Sequence, residues 1–157
     1  MFKKIKPYLV SILISVGVGA LSAFLTRGNM DIYEEIKMPP LSPPSILFPI
    51  VWGILYILMG ISAAMIFTKR RDDFKKSTSA LATYASSLIV NFAWSIIFFN
   101  FRAFFFAFVW LLLLLYLIIK TILQYREIDK VAAYLQIPYA LWVIFAGYLT
   151  FGIWILN

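Results

Sequence analysis

The sequence predicts an all-α fold: an integral membrane bundle of five transmembrane helices. Three observations predict it. The chain is 63% hydrophobic with a mean hydropathy of +0.91, and 157 residues enclose too little interior to hide that much apolar surface from water. Five apolar runs each reach the roughly 20 residues a helix needs to cross a hydrocarbon core. Lys and Arg are also distributed unevenly between the two sets of loops, as membrane topology requires. One transmembrane domain occupies residues 1–157.

The first span is expected near Pro7–Thr26. Lys3, Lys4 and Lys6 before it, with Ala20 to Ala23 at its end, also suit a signal peptide. A pattern of its own argues against removal: Ser11, Ser15, Gly19 and Ala23 recur every four residues. Such a ladder lets another helix approach closely, inside the chain or across a dimer contact. The loop 27–42 follows. Asp31 and Glu34 have capping-box spacing for a short helix carrying Tyr33. Two proline pairs then lead stiffly into the second span, Pro43–Thr68, with Ser42 as N-cap and Pro43 at the first helical position. The remaining spans are placed at Ser77–Phe101, Ala103–Tyr125 and Val131–Leu156. Pro49 and Pro138 lie inside spans and are expected to kink them.

The N-terminal side carries Lys3, Lys4, Lys6, the cations of 69–76, Lys120, Arg126 and Lys130; the other side has only Arg27, Lys37 and Arg102. The N-terminus is thus expected in the cytoplasm of a cell-membrane protein, with the 27–42 loop and the C-terminus outside. The net charge of +7 is then a topology signal, and no nucleic-acid partner is expected.

The chain has no Cys and no His, which removes disulfides, thiol chemistry and imidazole catalysis. The interiors of the spans hold no Asp, Glu, Lys or Arg, Lys120 lying near an end where it can snorkel. Ion-coupled transport normally needs ionisable groups at depth, and no metal site or required cofactor is expected. The spans offer aromatics and weak polar groups instead. Trp52 and Tyr56 share a face four apart. Asn91, Trp94 and Phe98 share another, and Tyr139, Trp142 and Ala146 a third. The spacing fits bundle core with interfacial belts first, and it also fits a flat apolar cavity with a few donors. Two stretches, 114–120 and 123–130, match the loose cholesterol-contact pattern, which is frequent by chance.

Pro39-Pro40-Leu-Ser-Pro43-Pro44, Phe48 to Tyr56, Met59-Gly60, Asn91-Phe-Ala-Trp94-Ser95 with Phe98-Phe99, and Pro138 to Trp142 with Phe145-Ala146 together resemble the translocator protein family (TspO/MBR, tryptophan-rich sensory proteins). The resemblance runs in order through all five spans. It implies a five-helix bundle, usually a homodimer, with an outer loop closing over a pocket inside each monomer. It implies a receptor or sensor for porphyrins or related tetrapyrroles, with light-dependent porphyrin breakdown or small-molecule transport as alternatives. It places Tyr33, Trp52, Asn91, Trp94, Trp142 and Ala146 among the family's pocket residues; Pro44, Tyr56, Phe98 and Tyr139 complete the expected ligand set. If porphyrin is degraded, Trp52 and Trp142 are the participating indoles. The chain departs from the family pattern at Leu41-Ser42, Ser87, Trp110 and Leu149-Thr150. Phe151 and Ile155 stand where the animal members' sterol motif would need a Tyr and a basic residue.

Overall fold

The computed structural model describes residues 2–29 and 32–157, and of Phe2 and Tyr33 the backbone alone. The expected Asp31 cap and the Tyr33 side chain lie outside the described residues. Six α-helices follow in order: α1 (Phe2–Thr26), α2 (Ile32–Glu35), α3 (Leu47–Thr68), α4 (Phe74–Ser95), α5 (Phe104–Arg126) and α6 (Lys130–Leu156). A 3₁₀ turn covers Arg27–Asn29, and a π-helical segment, Ile96–Asn100, prolongs α4. Five of these helices are long and apolar enough to cross a membrane, so the chain is a multi-pass membrane protein. Helical spans follow from the solvent, because in hydrocarbon each segment must satisfy its own backbone groups.

The helix starts have local causes. Asp73 caps α4 by accepting from the Lys76 amide at 3.1 Å. Asp129 caps α6, accepting from Val131 at 2.9 Å and Ala132 at 3.4 Å and pairing with Lys69 Nζ at 2.8 Å. The second span begins later than its sequence suggests. Pro43 precedes Pro44, and a residue before proline is pushed out of the helical region. After a bend at Pro40 and Leu41 the chain passes Pro43 and Pro44 without forming helix, turns over Ser45 and Ile46, and enters α3 at Leu47. Ser42, expected as the cap, donates back to the Pro39 carbonyl at 2.6 Å instead. α6 remains helical through Pro138.

The spans close into a ring in the order α1, α3, α6, α5, α4. The α1–α3 seam is a close one. Ser15 and Gly19 on α1 face Gly60 and Tyr56 on α3, two four-residue steps running antiparallel. Gly60 lies against the Ile12 backbone, and Gly19 against the Tyr56 ring. Ser15 Oγ donates to the Tyr56 carbonyl at 2.6 Å. The small-residue ladder therefore serves packing within the chain at these positions. The α4–α5 seam gains a cross-helix bond from Trp110 Nε1 to the Val90 carbonyl, 2.7 Å.

Candidate functional site

A cavity of about 550 Å³ occupies the half of the bundle nearer the 27–46 loop. This lies within the roughly 300–1,000 Å³ usual for small-molecule sites. Its walls follow from the helix stripes. α3 supplies Phe48, Trp52 and Tyr56, four apart and so on one face. α4 and its π-helical extension supply Trp94, Phe98 and Phe99. α6 supplies Trp142, Ala146 and the stripe Leu149, Thr150, Ile153. α1 contributes mainly small side chains, Gly19, Ala20, Ser22 and Ala23, which leave the space open.

The aromatic side chains hold one another. Trp52 stacks on Tyr56 with ring centroids 5.7 Å apart and meets Trp142 edge-on at 6.5 Å and 88°. Phe48 packs edge-on against Trp142 at 5.8 Å. Across the cavity Trp94 stacks on Phe98 at 5.1 Å, and Phe98 meets Phe99 edge-on at 5.0 Å. Offset and edge-on pairs of this kind add about 0.5–1.5 kcal/mol each beyond area burial. The result is a pair of rigid aromatic walls.

Polar groups are few. Thr26 and Thr150 line the cavity but donate within their own helices, to Ser22 O at 2.8 Å and Ala146 O at 2.7 Å. Their oxygens keep acceptor capacity. The indole nitrogens of Trp94 and Trp142 are buried without a hydrogen-bond partner, so each is an unused donor in a residue that lines the cavity. Among the described residues, no Asp, Glu, Lys or Arg lines the cavity.

Of the ten residues singled out in the sequence, Trp52, Tyr56, Trp94, Phe98, Trp142 and Ala146 line the cavity. Asn91 and Tyr139 do not. Both are buried beside it, where Asn91 Nδ2 donates to the Tyr139 hydroxyl at 3.1 Å and the Tyr139 ring backs Trp52 at 6.3 Å. Pro44 is absent from the lining, although the next two residues, Ser45 and Ile46, belong to it. The Tyr33 side chain lies outside the described residues. The α1 wall was missed by sequence reasoning. Its signal was the same small-residue ladder, whose outer end continues into the cavity as Ala23.

The loop above the cavity is fastened at several points. Asn157 clasps the Lys37 backbone from both sides: Lys37 N donates to Asn157 Oδ1 at 3.1 Å, and Asn157 Nδ2 donates to Lys37 O at 2.9 Å. Tyr148 Oη donates to Pro40 O at 2.5 Å. Pro39 is buried against Gly152, where a Cβ would come within 2.6 Å of it. Arg102 pairs with Glu35 at 2.7 Å, and Asn29 Nδ2 donates to Asn100 Oδ1 at 2.8 Å. Leu41 at the bend is left-handed, with φ 70°, and is 85% exposed.

Comparison with known proteins agrees with this architecture. The TspO/MBR family model matches residues 11–155. Protein CrtK of Rhodobacter capsulatus is 34% identical over 139 residues, covering 88% of this chain and 85% of its own. Tryptophan-rich protein TspO of Chlorobaculum tepidum is 34% identical over 160 residues, covering 100% and 99%. The translocator protein of Bos taurus is 34% identical over 137 residues, covering 87% and 81%.

Proposed function

We propose that this chain, which belongs to the TspO/MBR family, is a membrane receptor or sensor that binds a planar tetrapyrrole of the porphyrin type in its aromatic cavity. The observation that carries the proposal is the meeting of three tryptophans from three helices, Trp52, Trp94 and Trp142, around one uncharged cavity of about 550 Å³. Facing aromatic walls suit a flat π-system. With no charged residue among the described lining residues, ligand carboxylates would have to remain at the mouth. Arg27, next to the lining Thr26, and Lys37 on the loop are the cations available to meet them there. Lacking His and Cys, the chain would hold any haem without those axial ligands. We place the N-terminus in the cytoplasm and the cavity mouth outside, from the Lys and Arg distribution, and expect a homodimer, as the family resemblance implies. The test is saturable quenching of tryptophan fluorescence by protoporphyrin in reconstituted protein; quenching that never saturates sinks the proposal.

A second reading is favoured by one contact, the 6.5 Å edge-on meeting of Trp52 and Trp142. Two indoles in contact beside a photoexcited porphyrin are placed to exchange an electron, which supports light-dependent porphyrin degradation with these two as participants. Illumination of the protein–porphyrin mixture tests it. A Trp52→Phe, Trp142→Phe protein that bleaches porphyrin as fast as wild type excludes that role. Porphyrin flux across proteoliposomes would indicate transport rather than sensing.

A further inference from the structure

The walls of the aromatic cavity differ in how far they are covered. On α4, its π-helical extension and α6, the described lining residues are buried or half-buried. That side is also tied to α1, where Asn100 Nδ2 donates to the Leu25 carbonyl at 3.3 Å. The exposed lining residues belong to α1 and to the start of α3: Val16, Ala20 and Ala23 on one helix, Ile46, Pro49 and Gly53 at the other. Each of the six is at once a cavity wall and part of the outer surface, Ile46 being 69% exposed. A Cβ added to Gly53 would meet nothing within 4 Å. Deeper along the same seam the two helices are shut, where Gly19 meets the Tyr56 ring and Gly60 the Ile12 backbone. Among the described residues, then, the cavity has a slot in its side between α1 and α3.

What lies outside the slot is lipid. Both helices are long and apolar enough to span the membrane, and Leu21, Phe24, Ile50 and Ile54 beside it are each more than half exposed. At roughly 1.5 Å per residue, Val16 lies about 15 Å below Thr26 at the end of α1. The slot therefore runs through about half of the roughly 30 Å hydrocarbon core, within the leaflet on the side of the 27–46 loop. Water has few partners in a cavity walled mainly by apolar side chains. Walls without neighbouring atoms forfeit dispersion contacts. A lipid tail restores those contacts and leaves its own surroundings for equally apolar ones.

We propose that an acyl chain of a phospholipid in that leaflet enters between α1 and α3 and occupies the aromatic cavity of the ligand-free protein, its headgroup staying at the interface beside Ser45 and Ile46. Any other occupant then displaces a lipid chain, and the same slot admits it from the bilayer. The inference concerns the cavity described above and does not require its ligand to be a tetrapyrrole.

The test is photo-crosslinking of the full chain in porphyrin-free bilayers by a phosphatidylcholine with a diazirine near the end of one acyl chain, the adducts being located by mass spectrometry. Adducts are expected on the buried walls Trp94, Phe98 and Thr150 as well as on the lipid-facing Leu21 and Ile54. Adducts confined to lipid-facing side chains overturn the proposal. Gly53→Leu fills the slot and should remove the inner adducts while keeping the outer ones; inner adducts that persist undiminished overturn the route. Ala20→Leu, on the other lip, repeats the test should the first variant unfold. Gly147→Leu is the control: Gly147 is outside the lining and an added Cβ there meets nothing within 4 Å, so both sets of adducts should remain. Protoporphyrin added to wild type should then remove the inner adducts. Inner adducts that survive it support the lipid's hold on the cavity and count against the tetrapyrrole, so the two readings fail separately.

Discussion

Gly60→Ala tests the seam on which the cavity depends. A methyl there would lie 2.6 Å from the Ile12 Cα and 2.8 Å from Ser15 Oγ, whereas carbon atoms settle at about 3.5–4.0 Å. The near neighbour is backbone, so no side-chain rotation relieves it, and α1 must withdraw by roughly 1 Å. Overpacking of this kind costs about 1–3 kcal/mol. The withdrawal also stretches the Ser15–Tyr56 bond, now 2.6 Å, and an interhelical bond in a membrane is worth about 0.6 kcal/mol and at most about 1.7. The expected loss is therefore about 2–4 kcal/mol. The assay is thermal or denaturant unfolding in mild detergent, with porphyrin quenching measured alongside. Because Gly19 on the same seam is a cavity wall against Tyr56, affinity should fall together with stability. Gly147→Ala is the control. No atom lies within 4 Å of its added Cβ, and removing a mid-helix glycine should gain up to about 1 kcal/mol. A Gly60→Ala protein as stable as wild type would refute the close-approach argument.

Three further outcomes follow from the loop and the helix ends. Asn157→Ala removes both bonds to the Lys37 backbone; amide hydrogen exchange at residues 36–38 should speed up, with global stability changed by less than about 1 kcal/mol because the pair is exposed. Leu41→Gly relieves a left-handed leucine at φ 70°, so stability should rise by up to about 1 kcal/mol, and a fall would show that the Leu41 side chain has a partner. Asp129 has a lowered pKa: partial burial acts to raise it, but is outweighed by the Lys69 ammonium and the Ala132 and Val131 amides. Its stabilising effect is thus present above the ordinary carboxylate value and is lost as pH falls through the lowered one; Asp129→Asn should flatten the acid limb of the unfolding midpoint against pH below about 4.

Much of this architecture is legible in the chain because a bilayer leaves little choice. Solidly apolar runs must be helices, and the shared faces of Trp52–Tyr56 and Trp142–Ala146 follow from helical spacing alone. Phe99 is different. An α-helical period puts it well round from Phe98, yet both line the cavity. The π-helical widening at 96–100, where Phe101 N reaches Ile96 O at 3.2 Å, turns adjacent residues through a smaller angle, and no residue in Ile-Ile-Phe-Phe-Asn announces it. Asn91 was grouped with the cavity residues by its spacing from Trp94, but spacing does not tell a wall from the layer behind it; the Tyr139 hydroxyl decides that. The start of α3 eluded the serine-cap rule because the constraint of one proline on its predecessor is stronger than a hydroxyl cap.

The uncharged lining has a practical consequence. Among the described residues, Tyr56 is the sole titratable side chain that lines the cavity, so near neutrality these walls have no proton to gain or lose. A ligand's affinity would then vary with pH only as the ligand or the cations outside the mouth titrate. Comparing one chromophore as its free acid, its ester and its metal chelate over a pH series would therefore report which form is held, with the protein as a fixed reference.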